Sequence, residues 1–272
     1  MNDPRKFKAP YNPKARIWQE ADRLRAAHPA GRELPVKVLD LAEFDLHLYL
    51  VPVDGLREQL DIDALLMGDL KSVLVDKRAF MSPRLEYRMR FSVAHEIGHL
   101  VLHRDIYGGL QHATAKEWFD YISAIPEVEY GWVEWQAYEF AGRLLVPPDA
   151  LRETFQAAIQ SAQAAGYADW LAADEAALDY IATRIAPKFG VSAEVIAKRS
   201  RAISATRKSA QNGLSYSTSG PMRSTEPRPM RFDAWRSRDR LESTPRLRTP
   251  GTKPCFPICS RLRVTRSEST SV

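Results

Sequence analysis

The hydrophobic pattern of the chain changes period twice. Asn12 and Pro13 read as an N-cap and a first helical position, and apolar residues then recur at helical spacing through KARIWQEADRLRAA, up to Pro29 and Gly31. A shorter helical pattern, VKVLDLAEFDL, leads into the extended run LHLYLVP. LDIDALLM and LKSVLVDK follow, two β-like runs parted by Gly68 and Asp69 at a spacing that predicts a hairpin.

Helical spacing then returns and persists. Ser82 and Pro83 offer another cap and first position, and Leu85, Met89, Val93, Ile97 and Leu100 form a stripe. PRLEYRMRFSVAHEIGHLVLHR is therefore predicted as one helix of about six turns at 3.6 residues each, broken by Gly108 and Gly109. Further helices are predicted at TAKEWFDYISAI, GWVEWQAYEFAGRLL, PDALRETFQAAIQSAQAA, DEAALDYIATRIAPKF and SAEVIAKRSRAI. A few strands among many helices predict an α+β protein.

From Ala205 the periodicity stops. Ser, Thr and Pro make up 26 of the last 68 residues, and Leu, Ile, Val and Phe only 9. That apolar supply is too small to offset the entropy of ordering a chain, so a folded domain over residues 1–204 and a disordered tail over 205–272 are expected.

Charge follows the same division. The formal net charge of +5 splits into +9 from Ala205 onward and −4 before it. The folded part is mildly acidic, so the overall basicity is no argument for nucleic-acid binding by that part. Both cysteines, Cys255 and Cys259, also lie in the tail. Any metal held by residues 1–204 must use His, Asp or Glu. No apolar run approaches the roughly 18 residues that span a bilayer, and no signal-peptide core opens the chain, so a cytoplasmic protein without membrane contact is expected.

The chemistry concentrates in RFSVAHEIGHLVLH, which holds three of the six histidines at four-residue intervals. On a helix His95 and His99 share one face, with Cβ atoms about 5–6 Å apart, and both imidazoles can reach one zinc ion. Glu96 between them can sit beside the metal as a general base, taking a proton from a water that the metal has acidified and passing it to a leaving amine. Gly98 leaves room for a strand or substrate to approach closely. His103 continues the spacing but lies about 12 Å along the axis from His95, too far for one ion to bind both. It reads as a helix-end residue or as one that supports a metal ligand without touching the ion. A third ligand must come from another element, and VEWQAYEFAGRLLVPP offers Glu134 and Glu139, two carboxylates in a mostly apolar helix, each either a surface residue or, if enclosed, in need of a cation or donor.

LKSVLVDKRAFMSPRLEYRMRFSVAHEIGHLVLH, followed by VEWQAYEFAGRLLVPPDAL and KFGVSAEVIAKR, resembles the ImmA/IrrE family of zinc metallo-endopeptidases over about Leu34 to Arg199. The segments occur in the family's order and spacing, which is more specific than H-E-x-x-H alone. The resemblance implies a zincin-like fold, a small mixed or antiparallel sheet packed on a predominantly helical bundle. It implies zinc held by His95, His99 and Glu134, the last lying three residues before the alanine (here Ala137) of the family's E-x-x-A-N-x-F-A motif, and it leaves Glu139 as a non-ligand. The sequence departs from the family at Tyr138, where asparagine is usual. The resemblance also implies a substrate lying along strand KSVLVDK as a sheet edge, with the backbone of Val73 and Val75 pairing to it, and a helix-turn-helix repressor as that substrate. Tyr130, Tyr138 and His112 are candidates for stabilising an oxyanion.

Two other readings compete. DYIATRIAPKFGVSAEVIAKRSRAI, residues 178–203 in the main, also has the form of a helix-turn-helix with Lys198, Arg199 and Arg201 on its second helix, as a DNA-binding regulator would. Ile196 and Ile203 argue that this helix packs inward instead. A zinc-binding sensor or antitoxin-like partner without turnover is the third.

Overall fold

The computed structural model describes residues 3–108, 115–166 and 175–201. The tail from Ala205 with Cys255 and Cys259, Ile203, and the candidate His112 lie outside these residues.

Helix α1, Lys14–Ala27, forms where predicted, but Pro13 holds its cap position. Asn12 is buried, and its side chain turns away to donate to Gln136 Oε1 at 2.7 Å. Three strands follow: β1, Tyr49–Val53; β2, Ala64–Leu66; and β3, Ser72–Asp76. The predicted hairpin is present, with β2 antiparallel to β3. The order is β1-β3-β2, with β1 parallel to β3, so the sheet is mixed.

This order overturns the edge-strand reading of KSVLVDK. Its strand, β3, is the central one: Val73 is partnered by Leu50 on one side and Leu66 on the other, and Val75 by Pro52 and Ala64. A strand paired on both sides has no free main-chain groups for a substrate, and Val73 and Val75 are fully buried. The alternation that predicts a hairpin does not say on which side a third strand will add. Pro52 was the available signal, since a residue without an N–H marks β1 as an edge.

The long helix predicted after the sheet divides into three pieces. Pro83–Leu85 is a tight 3₁₀ turn, helix α2 runs Glu86–Leu102, and a short helix covers Arg104–Gly108. His103 caps α2 with φ −128° and ψ 22°, outside helical geometry. Met89, Val93 and Ile97 of the predicted stripe are buried in one core with Leu66, Val73 and Val75 of the sheet.

Four further helices close the bundle around that core: α3, Glu127–Leu145; α4, Pro148–Ala164; α5, Glu175–Phe189; and α6, residues 193–201. A shorter one, Ala115–Ser123, precedes α3. α2 and α3 approach closely at Gly98, where an added Cβ would meet the Cα and the carbonyl oxygen of Ala137 at 3.1 Å. A helix, then, fills the space that Gly98 leaves, not a strand or substrate. The turn between α5 and α6 uses Gly190 at φ +61°, and the buried Arg90 of α2 donates to its carbonyl at 3.0 Å and to that of Val36 at 2.6 Å. Among the described residues no helix is long and apolar enough to cross a membrane.

Candidate metal centre

The close crossing of α2 and α3 brings a carboxylate onto the histidine face. His95 Nε2 and His99 Nε2 lie 2.9 Å apart. Glu134 Oε2 is 3.2 Å from the first and its Oε1 3.3 Å from the second. Donor atoms on a tetrahedron around zinc, each 2.0–2.1 Å from the ion, sit about 3.3 Å from one another. The three side chains therefore already hold their atoms at the spacing of metal ligands. Among the described residues they form the one such cluster of three. His99 is almost fully enclosed, at 2% side-chain exposure, while Glu134 retains 22%, so the cluster opens on the Glu134 side.

Glu96 is buried beside this cluster, and its Oε2 accepts the Leu66 N–H at 2.7 Å. The register places Met67 and Asp63 of the hairpin toward β3, so the intervening Leu66 N–H points away from the sheet and toward α2. One carboxylate oxygen of Glu96 is thus fixed by the backbone of β2.

The charges in the cluster pull against each other. Burial raises the pKa of Glu96 above the usual carboxylate value, and the imidazoles of His99 and His95 offset this only in part. Glu134 is only partly enclosed, and the charge of His99 and the hydrogen bonds from both histidines outweigh its desolvation and hold it well below its usual value. For His95, burial opposes protonation, but the bond to Glu134 and that carboxylate's charge prevail and raise its pKa. Two carboxylates in one site are pushed in opposite directions, one toward a permanent anion and the other toward a proton acceptor.

Residues 82–201 match the family model described as the IrrE N-terminal-like domain of peptidase family M78. Over this stretch the chain is similar to an IrrE-type peptidase domain. Comparison with curated proteins and with solved structures gives no significant match. The matched stretch contains α2 and α3, hence His95, Glu96, His99 and Glu134, whereas α1 and the whole sheet precede it.

Within the matched stretch Glu139 has a different task. It is buried, and its Oε2 accepts from Arg199 Nη1 at 2.8 Å and from Trp18 Nε1 at 3.2 Å, with Lys14 Nζ at 3.5 Å. Arg199 is buried too and reaches the Glu139 carbonyl at 3.2 Å. The same contacts bear on the helix-turn-helix reading. Of the basic residues on α6, Arg199 is consumed in this pair, Lys198 lies over the Tyr138 ring at 3.9 Å, and Arg201 faces Asp179 at 3.6 Å. Ile196 is fully buried, so α6 packs its face onto α3 rather than presenting it to a groove.

The oxyanion candidates separate. The Tyr138 ring is packed against Phe91, with centroids 4.9 Å apart, and against Lys198, so the departure from asparagine fills the space with aromatic contact. Tyr130 lies one turn before Glu134 on α3. Sequence reasoning missed Tyr107, whose ring is 5.0 Å from that of His99 and whose hydroxyl burial holds well above its usual pKa, reinforced by Tyr130, Glu134 and Glu96. It keeps its proton and can only act as a donor or a neutral acceptor. His103, read as a helix-end residue or a support for a metal ligand, is buried against His99, its Nδ1 3.0 Å from His99 Nδ1. Burial pushes its pKa down to about 3, so it is neutral.

Proposed function

We propose that the protein is a zinc-dependent endopeptidase whose substrate is a helix-turn-helix transcriptional repressor, a role that belongs in the cytoplasm. The observation that carries the catalytic part is the convergence of His95, His99 and Glu134 next to a buried glutamate of raised pKa. The repressor as substrate rests on the family resemblance.

His95 Nε2, His99 Nε2 and a Glu134 oxygen would hold the ion, two neutral nitrogens and one carboxylate being a common set for catalytic zinc. When bound, zinc polarises a carbonyl and makes a water more acidic. The chain's own residues supply the rest. Leu66 N–H anchors one oxygen of Glu96 and leaves the other to accept a proton from the attacking water. The raised pKa lets Glu96 retain that proton long enough to deliver it to the departing amine. Glu134 remains ionised throughout, so it keeps its negative charge toward the cation.

The test combines metal analysis with proteolysis of a candidate repressor by wild type, Glu96→Gln and Glu134→Ala. Glu96→Gln is expected to retain zinc and lose about 10²- to 10⁴-fold in cleavage rate, the usual contribution of general acid–base catalysis. Glu134→Ala is expected to lose zinc together with activity. Full zinc occupancy in Glu134→Ala would remove it from the ligand set, and undiminished cleavage by Glu96→Gln would end the mechanism.

A further inference from the structure

A chain of hydrogen bonds runs from the metal cluster to the segment before α1. Gln136 Nε2 donates to the carbonyl of Pro10 at 2.8 Å. A main-chain carbonyl can only accept, so this bond fixes which way round the amide sits, and Gln136 Oε1 must face the other side. There it receives Asn12 Nδ2 at 2.7 Å and meets His103 Nε2 at 3.0 Å. An oxygen cannot donate, so His103 carries its proton on Nε2. In the neutral ring Nδ1 is then a bare acceptor. The atom 3.0 Å from it is His99 Nδ1, which must therefore carry the proton of that bond. His99 Nε2, the atom turned toward His95 and Glu134, is left with a free lone pair.

We infer that His103 and Gln136 are positioning residues that set the tautomer of His99 and hold its Nε2 lone pair ready for a metal ion, with Pro10 and Asn12 fixing the far end of the chain. The inference rests on the metal reading of His95, His99 and Glu134, but its proton assignments hold for the metal-free protein as well. It gives the segment before α1 a part in the site. That segment is itself pinned to α3, the Ala9 N–H donating to Glu129 Oε2 at 2.8 Å. Pro10 and Asn12 precede the stretch that matches the family model, so the site extends beyond it.

Groups that orient a ligating histidine in this way are worth about 10- to 100-fold in metal affinity. The experiment has two arms on the full chain. The first reads imidazole proton positions by long-range ¹⁵N–¹H correlation NMR in metal-free wild type. The expected pattern is a proton on His103 Nε2 and on His99 Nδ1; a proton on His103 Nδ1 would overturn the inference. The second measures zinc affinity by chelator competition. His103→Leu and Gln136→Leu are expected to bind zinc about 10- to 100-fold more weakly. His103→Asn, whose Oδ1 can take the place of Nδ1 as acceptor, is expected to recover most of the loss. Wild-type affinity in both leucine variants would overturn the inference while leaving the metal site in place. A wild type that binds no zinc would instead defeat the metal reading, and the NMR arm would still decide the tautomers.

Discussion

Glu134 and Glu139 stand five positions apart on α3, both in apolar surroundings, and their environments have opposite consequences. Five residues turn a helix by about 140°, so one carboxylate faces α2 and the other faces α1 and α6. Glu139 meets a guanidinium, an indole N–H and a lysine, and its charge is answered by groups that cannot leave. Glu134 meets two imidazoles, which are cationic only at the expense of protons that a metal would displace. A carboxylate with fixed cations is a structural pin. One with exchangeable protons is a binding site waiting for a cation.

The sharpest way to break this comparison is to remove each carboxylate in turn. Glu134→Ala should abolish zinc retention and cleavage while costing the metal-free fold less than the loss of Glu139 does. Glu139→Ala should do the reverse, because it strands Arg199 as an uncompensated buried charge, a change that costs about 3–5 kcal/mol. Thermal melts beside zinc analysis would check both. The paired change Glu139→Leu with Arg199→Met should restore much of the stability, since apolar replacement of a buried ion pair is often neutral or better. If Glu139→Ala instead emptied the metal site and left stability untouched, the two roles would have to be exchanged.

Acidity probes Glu134 and its imidazole partner His95 more gently. Folded His95 binds its proton more tightly than the unfolded value of 6.5 allows, so in metal-free protein its contribution is fully present below that value. It is lost as pH rises through the raised folded pKa. Glu134 is shifted the other way: its contribution is present above the unfolded 4.5 and lost only as pH falls through its much lower folded value. The metal-free protein should therefore draw most stability from this pair between about pH 4.5 and 6.5. Zinc needs His95 unprotonated, so apparent zinc affinity should already weaken above pH 6.5 as the solution is acidified. Glu134→Gln should flatten both trends in chelator-treated melts and zinc titrations. An unchanged profile in that variant would show that His95 takes its shift from some other group.

How much of this could be read from sequence depended on whether the deciding contact was local. The histidine face of α2 needed only four-residue spacing, and the hairpin only alternation and two turn residues. Glu134 and Glu139 were equal in pattern, because periodicity assigns residues to faces but does not say which face will meet α2. The family resemblance broke that tie, and the helix crossing agrees with it. The sheet order failed for the same reason, with Pro52 as the overlooked clue. Asn12 suited a cap by residue type, but its partner Gln136 lies 124 positions away. His103 was excluded as a ligand by distance along an ideal axis. The helix ends at that residue, however, and its side chain meets His99 at the one nitrogen a metal does not need.

The finest test of the comparison concerns the crossing that lets Glu134 reach the histidines at all. At Gly98 a new Cβ would lie 3.1 Å from the Ala137 Cα and carbonyl oxygen and 3.2 Å from the Phe140 ring, tighter than ordinary contact and mostly against backbone that cannot rotate away. Gly98→Ala should force α2 and α3 apart by a few tenths of an ångström, at a cost of about 1–3 kcal/mol for overpacking. Part of that cost is returned, since alanine is favoured over glycine within a helix by about 1 kcal/mol. The stability change should thus be small. Zinc affinity should fall further than stability does, because Glu134 on one helix must stay in register with His95 and His99 on the other. The Glu139–Arg199 pair, which joins α3 to α6 and does not span this crossing, should keep its effect on stability unchanged in the Gly98→Ala background. If the cost of Glu139→Ala changed along with zinc affinity, α3 would be moving as a whole and the two carboxylates would not be independent.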